Sequence, residues 1–312
     1  MKNNIKIGKN LEKILIIGAN GFLGSNIILL KNIENYKSQN YLFIASDLTN
    51  TNIEKNIPFY PIDITKSKDT IKQIVKIAPD VIILTAAMTD VDLCEINKDL
   101  ANKINVIGPK NVLKACEILG SKLVFISTDF VFDGTKTDGL YTEKDMPKPL
   151  SHYAKTKYEA ELIIMNSKIE YLICRAAVLY GWHKTKLNFI TWILNKLQQK
   201  EKISIVTTQI NSPTFVKNLA EIILKLIEKN SEGIFHTVGD CALNRYEMAL
   251  ICAEIFDYDK NLIVPVSEVN QKAIRPKNAG LDITKLKTII GSELNIYNLF
   301  DGLNYMKNHR LV

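Results

Sequence analysis

The chain has 312 residues, 46% of them apolar and 23% charged, with a net charge of +7. This is the balance of a folded globular protein and excludes long disorder, and the length suits a dinucleotide domain with a second lobe. The positive charge is scattered lysine without a basic block or interleaved aromatics, so no nucleic-acid partner is expected, although a positive site can attract a phosphorylated ligand.

In chain order, short apolar runs alternate with helical patterns. Lys13–Ile17, Tyr41–Ala45, Val81–Thr85, Lys122–Ser127 and Tyr171–Cys174 are predicted strands. Phe22–Lys31, Asp69–Ile77, Lys98–Leu119 and His152–Ile164 are predicted helices, with Pro79 as a stop after the second. Continuous apolar strands separated by helices imply a parallel sheet covered on both faces. The fold class is therefore α/β: a doubly wound parallel sheet (Rossmann) with a smaller α+β substrate lobe.

Beyond Gly181 the rhythm changes. Leu187–Gln199 is predicted helical, Lys202–Val206 a strand, Ser212-Pro213 a turn, Val216–Lys229 an amphipathic helix and Gly233–Val238 one more strand of the main sheet. Tyr246–Phe256 is predicted helical and the tail mixed. The domain boundaries follow: residues 1–180 and 213–240 bind the dinucleotide, and 181–212 with 241–312 form the substrate lobe.

Cys94, Cys116, Cys174, Cys241 and Cys252 are odd in number and lack CxxC spacing, which predicts neither disulfides nor a metal site. The apolar stretch Ile14 to Leu30 contains Gly18, Asn20, Gly21, Gly24, Ser25 and Asn26 and no cleavage site follows it, so it reads as a strand turning into a helix. A cytoplasmic protein without a membrane partner is expected.

Gly18-Ala19-Asn20-Gly21-Phe22-Leu23-Gly24 is a GxxGxxG pattern between the first strand and the first helix. The glycines allow a tight turn, close approach of a pyrophosphate and close helix packing, and the helix start supplies N–H donors. Asp47, 23 residues after Gly24, ends the second strand, where a carboxylate accepts from ribose hydroxyls and repels a 2′-phosphate. NAD is favoured over NADP, although Ser46 and Lys55 leave room for the phosphate. Asp63 and Ile64 either hold the adenine edge or form the turn before the next helix.

Tyr153 and Lys157 stand four residues apart on a predicted helix, hence on one face. The ammonium is expected to lower the phenol pKa and allow proton transfer near neutral pH. Thr128, 25 residues earlier, ends a strand of the same domain.

With these residues in place, the chain resembles the extended short-chain dehydrogenases, and within them the dTDP-4-dehydrorhamnose reductase family. Gly18–Gly24 matches the nucleotide loop, and Thr85-Ala86-Ala87-Met88-Thr89-Asp90-Val91-Asp92 is similar to the stretch after strand four. Ser127-Thr128-Asp129-Phe130-Val131-Phe132-Asp133-Gly134 resembles the STDYVFDG signature, and Tyr153-Ala154-Lys155-Thr156-Lys157 the YGxTK motif. Arg175 to Gly181, Ser212-Pro213-Thr214, Arg275-Pro276 and Leu281-Asp282 also fit. Departures are Phe130 for tyrosine, Ala154 for glycine, Thr207-Thr208 for an acidic pair and Asn211 for glycine.

The resemblance implies roles. Tyr153 donates the proton, Lys157 binds the nicotinamide ribose, Thr128 holds the substrate oxygen and Asn105 supports the lysine. Ala86, Ala87 and Thr89 line the cofactor channel. Asn188 and Arg275 are substrate candidates, Arg275 either meeting a phosphate or lying plainly on the surface. The implied activity is NAD(P)H-dependent reduction of a 4-keto group on a nucleotide-linked deoxysugar. A nucleotide-sugar epimerase remains open, as does a non-catalytic subunit like the methionine adenosyltransferase beta subunit. A dehydratase is disfavoured because no Asp-Glu follows Thr128. Oligomeric state stays open, a homodimer included.

Overall fold

The structure, a computed structural model, describes residues 12–32, 41–51, 53–184 and 187–309. The domain ranges expected above begin and end partly outside these residues.

Seven parallel strands form the central sheet: β1 (Glu12–Ile17), β2 (Tyr41–Asp47), β3 (Phe59–Pro61), β4 (Val81–Leu84), β5 (Lys122–Thr128), β6 (Tyr171–Ala176) and β11 (Gly233–His236). Their spatial order is β11-β6-β5-β4-β1-β2-β3. The chain winds outward from β1 to β3, returns to β4 on the other side of β1, and winds outward again. Between β1 and β4 the direction reverses, and in such sheets the crevice at the strands' C-terminal ends is where ligands bind. The expected parallel sheet is present, with Gly233–His236 as its outermost strand beside β6.

The strands are buried on both faces because their apolar residues run continuously. Ile14 and Ile16 enter one core with Val124, Leu172 and Phe235. Leu15 and Ile17 enter the other with Phe125, Ile173 and Ile164. Helices α1 (Phe22–Leu29), α2 (Ser67–Ile77), α3 (Val91–Ile96), α4 (Lys98–Asn102), α5 (Gly108–Leu119), α6 (His152–Met165) and α8 (Val216–Glu228) belong to this half. The apolar stripe of α8 packs on α1 and the first core.

The expected single helix from Lys98 to Leu119 is interrupted: a π-helical turn, Lys103–Ile107, separates α4 from α5. Pro109 has no N–H to give the carbonyl of Asn105 four residues back, so regular α-helical bonding cannot continue there. The wider turn places Asn105 inward, 1% exposed.

The remaining elements surround a third core. Helices α7 (Phe189–Gln198), α9 (Arg245–Ile255) and α11 (Leu299–Asn308) contribute Ile190, Ile193, Met248, Cys252, Leu303 and Met306 to it. Short strand pairs complete this region: β7 (Leu179–Tyr180) with β10 (Thr214–Phe215), β9 (Ile210–Asn211) with β12 (Leu243–Asn244), and β8 (Ile203–Val206) with β13 (Ile263–Val266). Helix α10 (Thr284–Ile290) packs against β11 and α8. Among the described residues no helix is long and apolar enough to cross a membrane.

Candidate active site

At the C-terminal ends of the central strands lies a cavity of about 440 Å³. One wall is Gly21, Phe22 and Leu23 at the start of α1, the floor is Thr128 and Asp129 with Tyr153 and Lys157, and the chain after Tyr180 contributes Asn188 and Arg245 as a second wall. Ala87 and Thr89, from the loop after β4, complete it.

Gly18 sits at φ +94°, where a Cβ would stand 2.6 Å from the backbone nitrogen of Ala86, so the turn requires glycine twice over. A Cβ on Gly24 would lie 2.3 Å from the Gly18 carbonyl oxygen, which shows how tightly the helix is drawn onto the loop. Helix α1 has no side-chain cap at Gly21 and no acidic residue in its first turn. Its first N–H groups therefore open into the cavity with the positive end of the helix dipole, a donor set suited to a dinucleotide's pyrophosphate.

The other nucleotide candidates flank this loop without lining the cavity. Asp47 accepts the Asn20 N–H at 2.9 Å and its neighbour Leu48's N–H at 2.8 Å, so the carboxylate braces the glycine loop from the end of β2. Asn20 in turn donates to the Thr49 carbonyl at 2.5 Å. Asp63 accepts both the N–H and the hydroxyl of Thr65, at 2.9 and 2.7 Å, which holds its carboxyl below the usual carboxylate range and makes it a turn residue before α2. Ile64 is buried, its side chain against Gly108 and its carbonyl bonded by Asn111 at 2.8 Å. Ala86 packs beneath the loop, touching Gly18.

Helix α6 begins at Ser151, whose hydroxyl accepts the Ala154 N–H at 3.3 Å. The helix face toward β5 then carries Tyr153, Lys157 and Glu161 in successive turns, the i, i+4 spacing of the sequence. A bidentate pair fixes that face to β6: Arg175 donates to Glu161 at 3.1 and 2.7 Å, with both side chains buried. Phe130 meets the Tyr153 ring edge-on at 6.5 Å.

Burial raises the Tyr153 phenol well above its ordinary value; a hydrogen bond with Thr128 offsets part of this, while Asp129 and Cys94 add to it. Lys157 lies over the Phe125 ring, its Nζ 3.9 Å from the centroid, and burial pulls it down to about 7 against the opposing charge of Glu161. The expected acidification of the phenol by the ammonium is therefore not what the protein alone displays. Burial disfavours the Lys157 charge, and among the phenol's neighbours Thr128 is the one that favours the phenolate.

Asn105 supports the site one step removed. Its amide accepts the Met88 N–H at 2.9 Å and donates to the Met88 carbonyl at 3.0 Å and to the Thr156 hydroxyl at 3.2 Å. It thus ties the loop after β4 to α6 beside Lys157. Asn188 caps α7, accepting the Thr191 N–H at 3.2 Å and donating to the Gly181 carbonyl at 2.7 Å, so its amide is committed even though it lines the cavity. Arg275 does not line the cavity. It grips Asp92 in a bidentate pair at 3.1 and 3.0 Å, pinning the tail to the start of α3.

Two cavity residues escaped the sequence reading. Asp129 is 2% exposed, accepts from Asn211 at 2.7 Å and Thr128 at 3.1 Å, and is pushed up to about 6 by burial. Arg245 opens α9 and reaches the cavity across Phe189, its guanidinium carbon 4.7 Å from the ring centroid. Asp129 was visible in the signature stretch, whereas Arg245 follows only a helix-start pattern, Asn244 with Glu247 three residues on, that signals a cap and nothing more.

With this geometry in view, the resemblances become specific. The family description "RmlD substrate binding domain" matches residues 12–300. The chain is 30% identical over 286 residues to methionine adenosyltransferase 2 subunit beta of Rattus norvegicus, covering 89% of this chain and 82% of that protein. It is 29% identical over 295 residues to dTDP-4-dehydrorhamnose reductase of Aggregatibacter actinomycetemcomitans, covering 90% and 94%. The crystal structure of dTDP-4-dehydrorhamnose reductase from Bacillus anthracis, in complex with NADP, superposes with a TM-score of 0.80 at 31% identity, covering 95% of this chain and 99% of that one. The chain is a member of the RmlD substrate binding domain family, within the extended short-chain dehydrogenases.

Proposed function

We propose that this protein is an NAD(P)H-dependent reductase of a 4-keto group on a nucleotide-linked deoxysugar, with dTDP-4-dehydrorhamnose the first candidate. The observation that carries the reading is the meeting of Thr128, Tyr153 and Lys157 in a cavity that is also lined by the uncapped start of α1. A bound nicotinamide coenzyme would supply the hydride. The chain's residues do the rest. Tyr153 gives its phenolic proton to the carbonyl oxygen of the sugar, and Thr128, turning its one hydroxyl proton away from Asp129, donates a hydrogen bond to the same oxygen, stabilising the developing alkoxide. Lys157 holds the nicotinamide ribose, and hydroxyl acceptors there raise its charge and so favour the phenolate left on Tyr153. Asn105 positions the Met88 loop, and Ala86, Ala87 and Thr89 form the channel beside it. The N–H groups of Phe22 and Leu23 receive the pyrophosphate, and Asp47 reads the adenosine ribose. In this reading residues 1–180 with 213–240 bind the coenzyme, and 181–212 with 241–312 present the sugar.

The test is oxidation of NADH and NADPH against a panel of nucleotide 4-ketosugars. Turnover with one of them is expected; inertness towards all, with coenzyme bound, would exclude the reading. A second reading, a regulatory subunit that binds NAD(P) without turning over, is favoured by the likeness to the rat beta subunit. Stable co-purification with a methionine adenosyltransferase would support it.

A further inference from the structure

The cavity holds a cation, Arg245, that no carboxylate among the described residues meets in a direct ion pair, although Asp129 attracts it from nearby. Arg245, the first residue of α9, lines the cavity with its guanidinium carbon over the ring of Phe189, the first residue of α7. Its backbone N–H goes to the Gln209 carbonyl at 3.2 Å, but the guanidinium makes no hydrogen bond or ion pair among the described residues. The carboxylates nearby are already engaged. Asp129 is held by Asn211 and Thr128, and Asp92 is held by Arg275. Of the nearby charges, Asp129 favours the Arg245 charge and Arg275 opposes it more weakly. Burial also disfavours that charge, bringing Arg245 to about 10. A half-buried guanidinium facing a cavity without a protein hydrogen-bond partner has donors free for a ligand, and planar N–H forks match phosphate oxygens in geometry.

We infer that Arg245 is the residue that grips the diphosphate of the nucleotide-linked substrate, and that it does not serve the coenzyme's phosphates. Location decides between the two sources. The coenzyme's pyrophosphate has the start of α1, whereas the lining residues Arg245, Leu187 and Asn188 all come from the chain after Tyr180. Arg245 shares the cavity with Thr128 and Tyr153, so a sugar with its carbonyl at that pair extends its diphosphate toward the second wall. Arg275 is withdrawn by Asp92, which leaves Arg245 as the cation that faces the substrate. This inference rests on the reductase reading for its substrate class.

The experiment titrates the full chain, saturated with NADP⁺, with dTDP and separately with thymidine, by calorimetry, for the parent, Arg245→Lys and Arg245→Gln. Losing a charged hydrogen-bonding fork lowers affinity by roughly 10- to 100-fold. That loss is expected for dTDP in Arg245→Gln, with a smaller loss in Arg245→Lys, while thymidine and NADP⁺ affinities stay at parent values. Unchanged dTDP affinity in Arg245→Gln, an equal loss for NADP⁺, or a parent that binds no dTDP would overturn the assignment. Arg245-dependent dTDP binding in a chain that transfers no hydride to any ketosugar would instead sustain the assignment and remove the reductase reading.

Discussion

The two walls of the cavity are built on different principles. The α1 wall is made by backbone: glycines without Cβ atoms, an uncapped helix start and the ends of consecutive parallel strands. The second wall is made by side chains from helices α7 and α9, brought together by a core that has no part in the central sheet. A backbone wall tolerates little change because its atoms cannot move aside; a side-chain wall can be re-specified by one substitution. Chemistry common to many substrates belongs on the first, and the choice of substrate on the second.

Several substitutions would break or sharpen that contrast. The largest effect is expected for Tyr153→Phe on the shared floor, where losing the proton donor should cut kcat about 10²- to 10⁴-fold while NADPH affinity stays near the parent value. Steady-state kinetics with fluorescence titration of NADPH checks both. Next is Gly24→Ala on the backbone wall. Its new methyl would stand 2.3 Å from the Gly18 carbonyl oxygen, so the loop must shift, with a loss of about 1–3 kcal/mol in stability and weaker coenzyme binding. A thermal melt with and without NADPH reads both quantities.

Asp129→Asn probes the boundary between the walls. Folding raises Asp129 from 3.8 to about 6, so the ionised carboxylate opposes folding. That penalty is fully present above pH 6 and vanishes below pH 3.8, where the group is protonated in both states. The amide variant should therefore be more stable than the parent at pH 7, by at most about 3 kcal/mol, and the gap should close as pH falls toward 4. Denaturant melts across that range settle the sign. The smallest effect is expected for Asp47→Ala, a modest shift in coenzyme preference from NADH toward NADPH, measured as the ratio of kcat/KM values. An unaltered ratio would leave Asp47 only its bond to Asn20.

The same contrast explains what the sequence discloses. The sheet half is legible because its signals are local: apolar runs of strand length, glycines at fixed spacing, and a Tyr-Lys pair one helical turn apart. Helix α1 and strand β1 begin within a residue of their expected positions. The π-helical turn at Asn105 was less visible, although Pro109 carried the signal. The second wall was not legible. Arg275 and Arg245 are equivalent as letters, and only the folded chain reveals that Asp92, 183 residues before Arg275, claims one of them and leaves the other facing the cavity. Likewise, the phenol's environment depends on burial and on Thr128, neither of which the spacing to Lys157 encodes.

The central claim is that the Thr128–Tyr153 floor reduces a ketone beside a bound nicotinamide. Its most direct test is a single turnover with coenzyme deuterated at the transferring C4 position, offered dTDP-4-dehydrorhamnose, followed by NMR of the sugar. The account predicts deuterium at sugar C4 with the parent and almost none with Tyr153→Phe over the same time. Deuterium that stays on the coenzyme with the parent chain, ketosugar bound, would contradict it.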